Sequence, residues 1–400
     1  MPPIVRPATA ADLPEIALVD GRAFGVRYTE DEIETLVRPL FDPDRFLVAC
    51  DPDHGGILGV TGDYPFELTL PGGTSLPAPG VTWVSVATTH RRRGILRMLM
   101  HEQHRRLVER GNAVALLTAS EAAIYGRFGY GTATVEHAVR IDRRLTGFRA
   151  GVPDPGGVRQ VEVDEARRLA PDVHRRWCAR TPGALSRSPA WWANLLSDPE
   201  HRRHGASPLF HLLHADGYAS YRVAHGEPTT CRVVDLFAAT AEAHVALWRV
   251  LLGLDLVTIV TSRACPPDDP LPFLLTDPRQ VWTTELRDGM WARVLDVPAA
   301  LAARRYTVEV DLVLEVHDAF LGLGGRFRLR GGPDGAMCEA TRAASDVEAD
   351  VAALGSLLLG GHRGITLARA GLLRGAAPAA LRVLDAAFTA DRSPRFGTDF

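Results

Sequence analysis

The sequence predicts an α/β protein of more than one domain, and three observations lead there. The β-branched run "VTWVSVAT" (Val81–Thr88) empties into "HRRRG", and an amphipathic helix starts at Ile95. A later stretch, "CRVVDLFAAT" followed by "AEAHVALWRVLLG" and "LVTIVTS", repeats that strand–helix–strand order. The chain has 400 residues, beyond the roughly 250–300 at which single hydrophobic cores stop growing.

The N-terminal stretch "PIVRPATAADLPEIALVD" reads as a short strand and then a helix, with Thr9 and Asp12 spaced as a capping box. Strands are predicted at "RFLVACD" and "GGILGVTGDYPFELTL", punctuated by Asp, Pro and Gly turns. The helix after the arginines runs to about Arg110. Leu96, Leu99, Met100 and Leu107 form its apolar stripe, and Gly111 lies just past its end. A buried strand "AVALLTAS", a short helix or turn "EAAIYGRFG" and a further strand "ATVEHAVRI" complete the first unit.

The pattern restarts near Gly151, with "YASYRVAH" as a strand ahead of the repeated stretch. Its junction, "LFAATAEAHVAL", holds neither glycine nor an arginine cluster, so this unit reads as a degenerate copy unable to hold phosphate. A third region opens near "WARVLDVPAAL". In "YTVEVDLVLEV", Val308, Val310, Leu312, Leu314 and Val316 fall on one face, with "FRLRG" and "CEATRA" as candidate partner strands. Ser345 and Glu348 form a capping-box pattern ahead of a hydrophobic helix, and a last helix is expected from about Ala377 to Phe388.

Composition narrows the function classes. With 46% hydrophobic and 23% charged residues the chain can bury a sizeable core. A net charge of −3 gives no basis for nucleic acid or an anionic membrane surface as a partner. Five scattered cysteines (Cys50, Cys178, Cys231, Cys265, Cys338), without a CxxC pair, argue against a zinc ribbon or a disulfide framework. No signal-peptide core or run of membrane-span length is present, so a cytoplasmic location without a membrane partner is expected.

The arginine loop carries the chemistry. A helix N-terminus presents unpaired N–H groups and about half a positive charge, and Gly94 lets an anion come close to the backbone. Neither GKS/GKT nor GxGxxG is present, so the loop is not a P-loop or a dinucleotide fingerprint. Basic-x-x-Gly-x-small is the pyrophosphate signature of acyl-CoA-dependent N-acetyltransferases of the GNAT superfamily, with Leu96 departing from the usual small last residue.

Together with "RRRGIL", the block "LLTASEAAIYGRFGYG" (Leu116–Gly131), "ARTPGALSRSPAWW", "WARVLDVPAAL" and the ending "DF" resemble the Eis (enhanced intracellular survival) family over nearly the whole chain. The resemblance implies acetyl-CoA-dependent N-acetylation of aminoglycosides, without a metal, by homohexamers. It implies two GNAT-like mixed-sheet domains and a sterol-carrier-like α+β domain: residues 1–148 catalytic, 149–295 degenerate and without cofactor, 296–400 with a C-terminus that reaches the active site. Carried over residue by residue, the backbone of Val84, Ser85 and Val86 would pair with the pantetheine arm. Arg92, Arg93, Gly94, Ile95, Leu96 and Arg97 would face the pyrophosphate, and Ser120 and Glu121 would contact the cofactor. Tyr125 would be the general acid, the α-carboxylate of Phe400 the general base, and Phe24 and Asp399 would meet the polycationic amine. Thr118 stands where relatives often carry histidine.

The chemistry is consistent with these groups. A phenol with a pKa near 10 stays protonated at neutral pH and can serve a departing thiolate; the other reading of Tyr125 is packing with Phe128 and Tyr130. The carboxylate of Phe400 can take a proton from the amine, whereas a frayed terminus is the alternative. "HEQH" (His101–His104) has the wrong spacing for zinc and reads as a solvated helix face, as does the acidic "EDEIE" (Glu30–Glu34). Trp191 and Trp192 read as interdomain packing, and the apolar helix of the third region as core rather than a lipid cavity. Two rival functions stand beside acetylation of aminoglycosides: acetylation of lysine in proteins or peptides, and lipid carriage with vestigial GNAT units.

Overall fold

A computed structural model describes residues 2–400, in which helices flank three principal sheets. Across the first, the strands run Ile4–Pro7, Phe46–Cys50, Ile57–Tyr64, Gly80–Val86, Val114–Thr118, Met290–Val294 and Gly131–Thr132. Every neighbouring pair is antiparallel except Gly80–Val86 against Val114–Thr118, which are parallel and pair at a single point, Gly80 opposite Leu116. The long helix Ile95–Glu109 joins these two strands, as the periodicity predicts.

The second sheet repeats the first strand for strand. Its order is Arg159–Val161, Phe210–His214, Gly217–Ala224, Thr230–Ala238, Ile259–Cys265, Val135–Asp142 and Val281–Asp288, again with one parallel pair, Thr230–Ala238 against Ile259–Cys265. Val135–Asp142, read from sequence as the end of the first unit, therefore belongs to the second sheet, and Met290–Val294 returns to the first. Each sheet thus receives one strand from the other, inserted between its fifth strand and its last, where it is paired on both sides. A cut between residues 148 and 149 leaves a second-sheet strand in the first segment, and one between 295 and 296 leaves a first-sheet strand in the second.

The third sheet has the order Gly335–Ala340, Gly325–Gly332, Val310–His317, Val347–Asp350 and Leu373–Arg374. Its first two strands are the partners expected from "CEATRA" and "FRLRG". Two expectations are corrected here. Val308 precedes the strand and is exposed, while Val310, Leu312, Leu314 and Val316 are buried as the alternation requires. Ser345 and Glu348 do not cap a helix. The chain is drawn into parallel pairing, Leu314 opposite Val347, and the helix begins only at Val351. Strand pairing outweighs the local capping signal.

The helix Val351–Leu358 is buried because it lies against the first sheet backbone to backbone. A Cβ on Gly131 would lie 1.8 Å from the Ala352 carbonyl oxygen, and one on Gly355 would lie 2.2 Å from that of Ala292. The carbonyls at the helix's far end are satisfied by buried Arg304, which donates to Leu357, Leu358 and, from outside the helix, Phe388. Burial lowers its guanidinium to about 10. This helix is core, packed between two domains. Trp191 likewise bridges units, edge-on to Tyr64 and Phe66 of the first, whereas Trp192 packs on Tyr218 and Phe237 of the second. The "HEQH" segment is corrected in part. His101 is exposed, but His104 is fully buried, held neutral by burial, and its Nε2 lies 2.8 Å from the Tyr130 hydroxyl.

Candidate active site

The site grows from an irregularity in the strand Gly80–Val86. Its pairing with Ile57–Tyr64 slips between Val60 and Gly62, and Trp83 absorbs the extra residue with φ of +54°, rare for a bulky side chain. With only one pairing point to Val114–Thr118, the two parallel strands part, and backbone groups of Val84–Val86 are left without a partner on that side. A cleft of about 750 Å³ opens there.

The arginine loop closes one wall. Arg92 has φ of +63° and Gly94 φ of +83°, and Gly94 caps the helix Ile95–Glu109 with no side chain, so the first-turn N–H groups stay available. A Cβ on Gly94 would meet nothing within 4 Å, which marks open space beside the backbone. Opposite, Ser120, Glu121 and Tyr125 lie on the turn after Val114–Thr118. Of the residues predicted to hold the cofactor, Val84, Ser85, Val86, Arg92, Gly94, Ile95, Leu96, Arg97, Ser120 and Glu121 all line this cleft, with Arg91 besides; Arg93 is exposed and lies outside the lining. Phe24, assigned to the amine, lines the same cleft.

Tyr125 is 5% exposed and stands edge-on to Tyr130, ring centres 6.2 Å apart. Burial, and then the charge of Glu121, push its phenol up to about 12. Among the described residues no protein group accepts from its hydroxyl.

The C-terminal tail does not line the cleft; it arrives at the root of the parted strands. The Thr118 hydroxyl donates to the Phe400 main-chain oxygen at 3.1 Å, and the Phe400 ring packs on Phe66, centres 5.0 Å apart. Gly80 makes room for that ring, since a Cβ there would lie 2.5 Å from it. The preceding residues are tied down: Arg395 N–H donates to the Pro182 carbonyl, Leu185 N–H to that of Phe396, and Arg187 to Thr398 and Gly397. The tail is packed, not frayed. Asp399 is exposed beside it.

Around Phe400 the structure gathers aromatic residues that sequence reasoning missed. Tyr28 stacks on Trp83 at 5.7 Å, the Trp83 indole N–H donates to the Tyr64 hydroxyl at 2.8 Å, and Tyr64 and Phe66 meet Trp191. Behind them Asp20 is 4% exposed and accepts from the Tyr28 hydroxyl at 3.2 Å. Burial raises its carboxyl to about 6 from 3.8, the bond from Tyr28 offsetting only part. A raised carboxyl favours the folded state only while protonated. Its cost is absent below pH 3.8, grows as pH rises, and is complete above pH 6. Asp20→Asn is therefore expected to gain roughly 2–3 kcal/mol over the parent between pH 4 and pH 7.5, read from urea unfolding at both pH values. A difference that does not change with pH would show an ordinary carboxyl.

No group of three or more His, Cys, Asp or Glu among the described residues is arranged to hold a metal ion. The five cysteines are unpaired, and burial pushes the thiols of Cys178, Cys231, Cys265 and Cys338 up to about 12, which makes them inert. No helix among the described residues is long and apolar enough to cross a membrane.

Parted parallel strands around a glycine–arginine helix start define an acetyltransferase of the GNAT class, here with a second such unit and a third domain of another kind. Residues 4–133 and 183–294 each match an acetyltransferase (GNAT) domain, and residues 297–397 match the sterol carrier protein domain. The chain is 43% identical over 395 residues to N-acetyltransferase Eis of Mycobacterium tuberculosis, covering 96% of each. It is 38% identical over 390 residues to an uncharacterized N-acetyltransferase of Streptomyces coelicolor, covering 93% of this chain and 94% of that one. The crystal structure of Eis1 from Mycobacterium abscessus superposes with a TM-score of 0.89 at 35% identity, covering 99% of this chain and 100% of that one. This chain belongs to the Eis family of N-acetyltransferases.

Proposed function

We propose that the enzyme transfers an acetyl group from acetyl-CoA to amines of aminoglycosides or similar polycationic molecules. The observation that carries this is the convergence, on one cleft, of parted strands, an open helix start and a protonated phenol, with the packed Phe400 tail at the root of those strands. Acetyl-CoA fits that cleft because Gly94 leaves its backbone open and the helix N–H groups have no other acceptor. It supplies a thioester, so the N–C bond forms, the C–S bond breaks, the amine loses one proton and the sulfur gains one.

In this reading the N–H groups of Ile95–Arg97, with Arg92 and Arg97, hold the pyrophosphate, and the Val84–Val86 backbone orients the acyl carbonyl. The Phe400 carboxylate, positioned by Thr118, takes the amine's proton directly or through one water. Tyr125 lines the same cleft and in this reading would serve the departing sulfur. A phenol at about 12 is a weaker acid than a thiol near 8.5, so its main contribution is a hydrogen bond to the developing sulfur charge. Tyr28 and Trp83, both half-buried and stacked on each other, offer aromatic surface to a cationic acceptor, and Asp399 adds negative charge.

Thiol release from acetyl-CoA with a panel of amines tests the proposal. Aminoglycosides are expected to react with kcat/KM well above that of lysine peptides; the reverse order points to a protein substrate, and no release with any amine overturns the enzyme reading. The loop is tested separately. Gly94→Val places a side chain at φ of +83° in the open space the anion needs, and the acetyl-CoA dissociation constant is expected to rise tenfold or more, roughly. Arg92→Ala should cost only a few-fold, because the N–H donors remain. Unchanged calorimetric affinity for Gly94→Val would leave the loop as a turn.

A further inference from the structure

The C-terminal domain reaches the first domain at a second place, far from the tail. The loop after the strand Val310–His317 is held by Asp318, whose carboxylate pairs with Arg293 at 2.7 Å, both side chains buried. The other oxygen of Asp318 accepts from the N–H groups of Phe320 and Leu321, so the loop folds tightly around one side chain. Arg293 also donates to the Phe128 carbonyl, which ties the loop to the turn that follows Tyr125. This ion pair fixes where Phe320 stands.

Phe320 is 8% exposed although it belongs to a surface loop. Its ring sits edge-on to Phe128, His101 and His104, with centres 5.1, 5.9 and 5.8 Å away. Over the same ring, 5.2 Å from its centre, lies the guanidinium carbon of Arg97. Arg97 is exposed and lines the acyl-CoA cleft on the first turn of the helix Ile95–Glu109. It forms no ion pair among the described residues, so the ring is what orders its charged end. Burial keeps neighbouring His104 neutral, and the Arg293 guanidinium, 5.8 Å from the same ring centre, is balanced by Asp318.

We propose that Phe320 is a positioning residue for acetyl-CoA: its ring holds the Arg97 guanidinium at the cleft wall, ready for the pyrophosphate. This rests on the reading of the cleft as an acyl-CoA site. A free arginine loses its rotamer freedom when it grips a phosphate, and a face already stacked beneath the guanidinium removes most of that loss before binding. The domain labelled by its sterol-carrier likeness thus contributes to the cofactor site as well as carrying the tail.

The ring's electrostatic face and its apolar bulk are separated by substitution. Phe320→Leu keeps bulk without the π-face, and Phe320→Tyr keeps both. For Phe320→Leu the calorimetric dissociation constant for CoA is expected to rise about five-fold, while Phe320→Tyr stays within about two-fold of the parent. Acetyl-pantetheine, which lacks the pyrophosphate, should be used as donor with the same kcat/KM by all three proteins. In an Arg97→Ala background, Phe320→Leu should cost nothing further. The inference is overturned if Phe320→Leu binds CoA as the parent does, if acetyl-pantetheine turnover falls in parallel, or if the loss persists without Arg97. If Phe320→Leu does not fold, the remaining comparison is between parent, Phe320→Tyr and Phe320→Trp with Arg97 present and absent. Aromatic variants whose affinity fails to depend on Arg97 overturn it equally. A parent that binds no CoA at all sinks the acyl-CoA reading itself, a distinct outcome from a parent that binds and a leucine variant that does not differ.

Discussion

Tyr125→Phe is expected to lower turnover by about 10²-fold or more while acetyl-CoA affinity stays within about two-fold. The substitution keeps the ring edge-on to Tyr130 and the packing of a residue that is 5% exposed, and removes one hydroxyl. That hydroxyl has no protein acceptor among the described residues, so its loss breaks no structural hydrogen bond. What goes is a donor toward the departing sulfur, which matters only as the C–S bond breaks. The raised phenol also fixes the pH behaviour. With a pKa near 12 the group stays protonated through the working range, so the parent should show no loss of activity from its ionisation below about pH 11. Steady-state kinetics with calorimetry decide it: a phenylalanine variant with near-parent turnover returns Tyr125 to a packing role beside Phe128 and Tyr130.

What the sequence made legible follows from how local each signal is. The arginine loop, the helix start at Ile95 and the turn at Tyr125 each lie within a few residues, and the strand–helix–strand order around them is a periodicity. Their convergence on one cleft was implied by the family resemblance alone. The aromatic cluster around Phe400 was not legible. Tyr28 and Phe66 come from loops and Tyr64 and Trp83 from two strands, and a bulge at Trp83, which no propensity predicts for tryptophan, turns the strand there. Strand exchange escaped for the same reason: alternation marks Val135–Asp142 as a strand without saying which sheet it enters. At Ser345 the local pattern pointed the wrong way, because parallel pairing with Val310–His317 holds the chain extended past the capping signal. His104 sits on a helix face whose neighbours are charged, and its burial depends on a loop more than 200 residues away, at Phe320.

Adding one glycine after Phe400 is expected to abolish most acetyl transfer, by about 10²-fold or more, without impairing folding or acetyl-CoA binding. The extension converts the Phe400 carboxylate to a neutral amide and moves the charge outward by about 3.5 Å. Proton abstraction needs a base within about 3 Å of the amine or of one bridging water, so a displacement of that size removes it. The surroundings make the change local. The Phe400 ring stays in the seat provided by Gly80 and Phe66, Thr118 can still donate to the new amide oxygen, and the tail bonds at Arg187 and Leu185 do not involve the terminus. Deleting Phe400 is the harsher test, because it removes the ring that fills the space above Gly80 and should loosen the tail as well as silence the chemistry. The two variants therefore separate loss of the base from loss of the anchor: both lose turnover, and only the deletion should lower thermal stability. Measured masses, melting temperatures and kcat with one aminoglycoside suffice. Full turnover in the glycine-extended protein would remove Phe400 from the mechanism and send the search for a base to Glu121 or a water chain in the cleft.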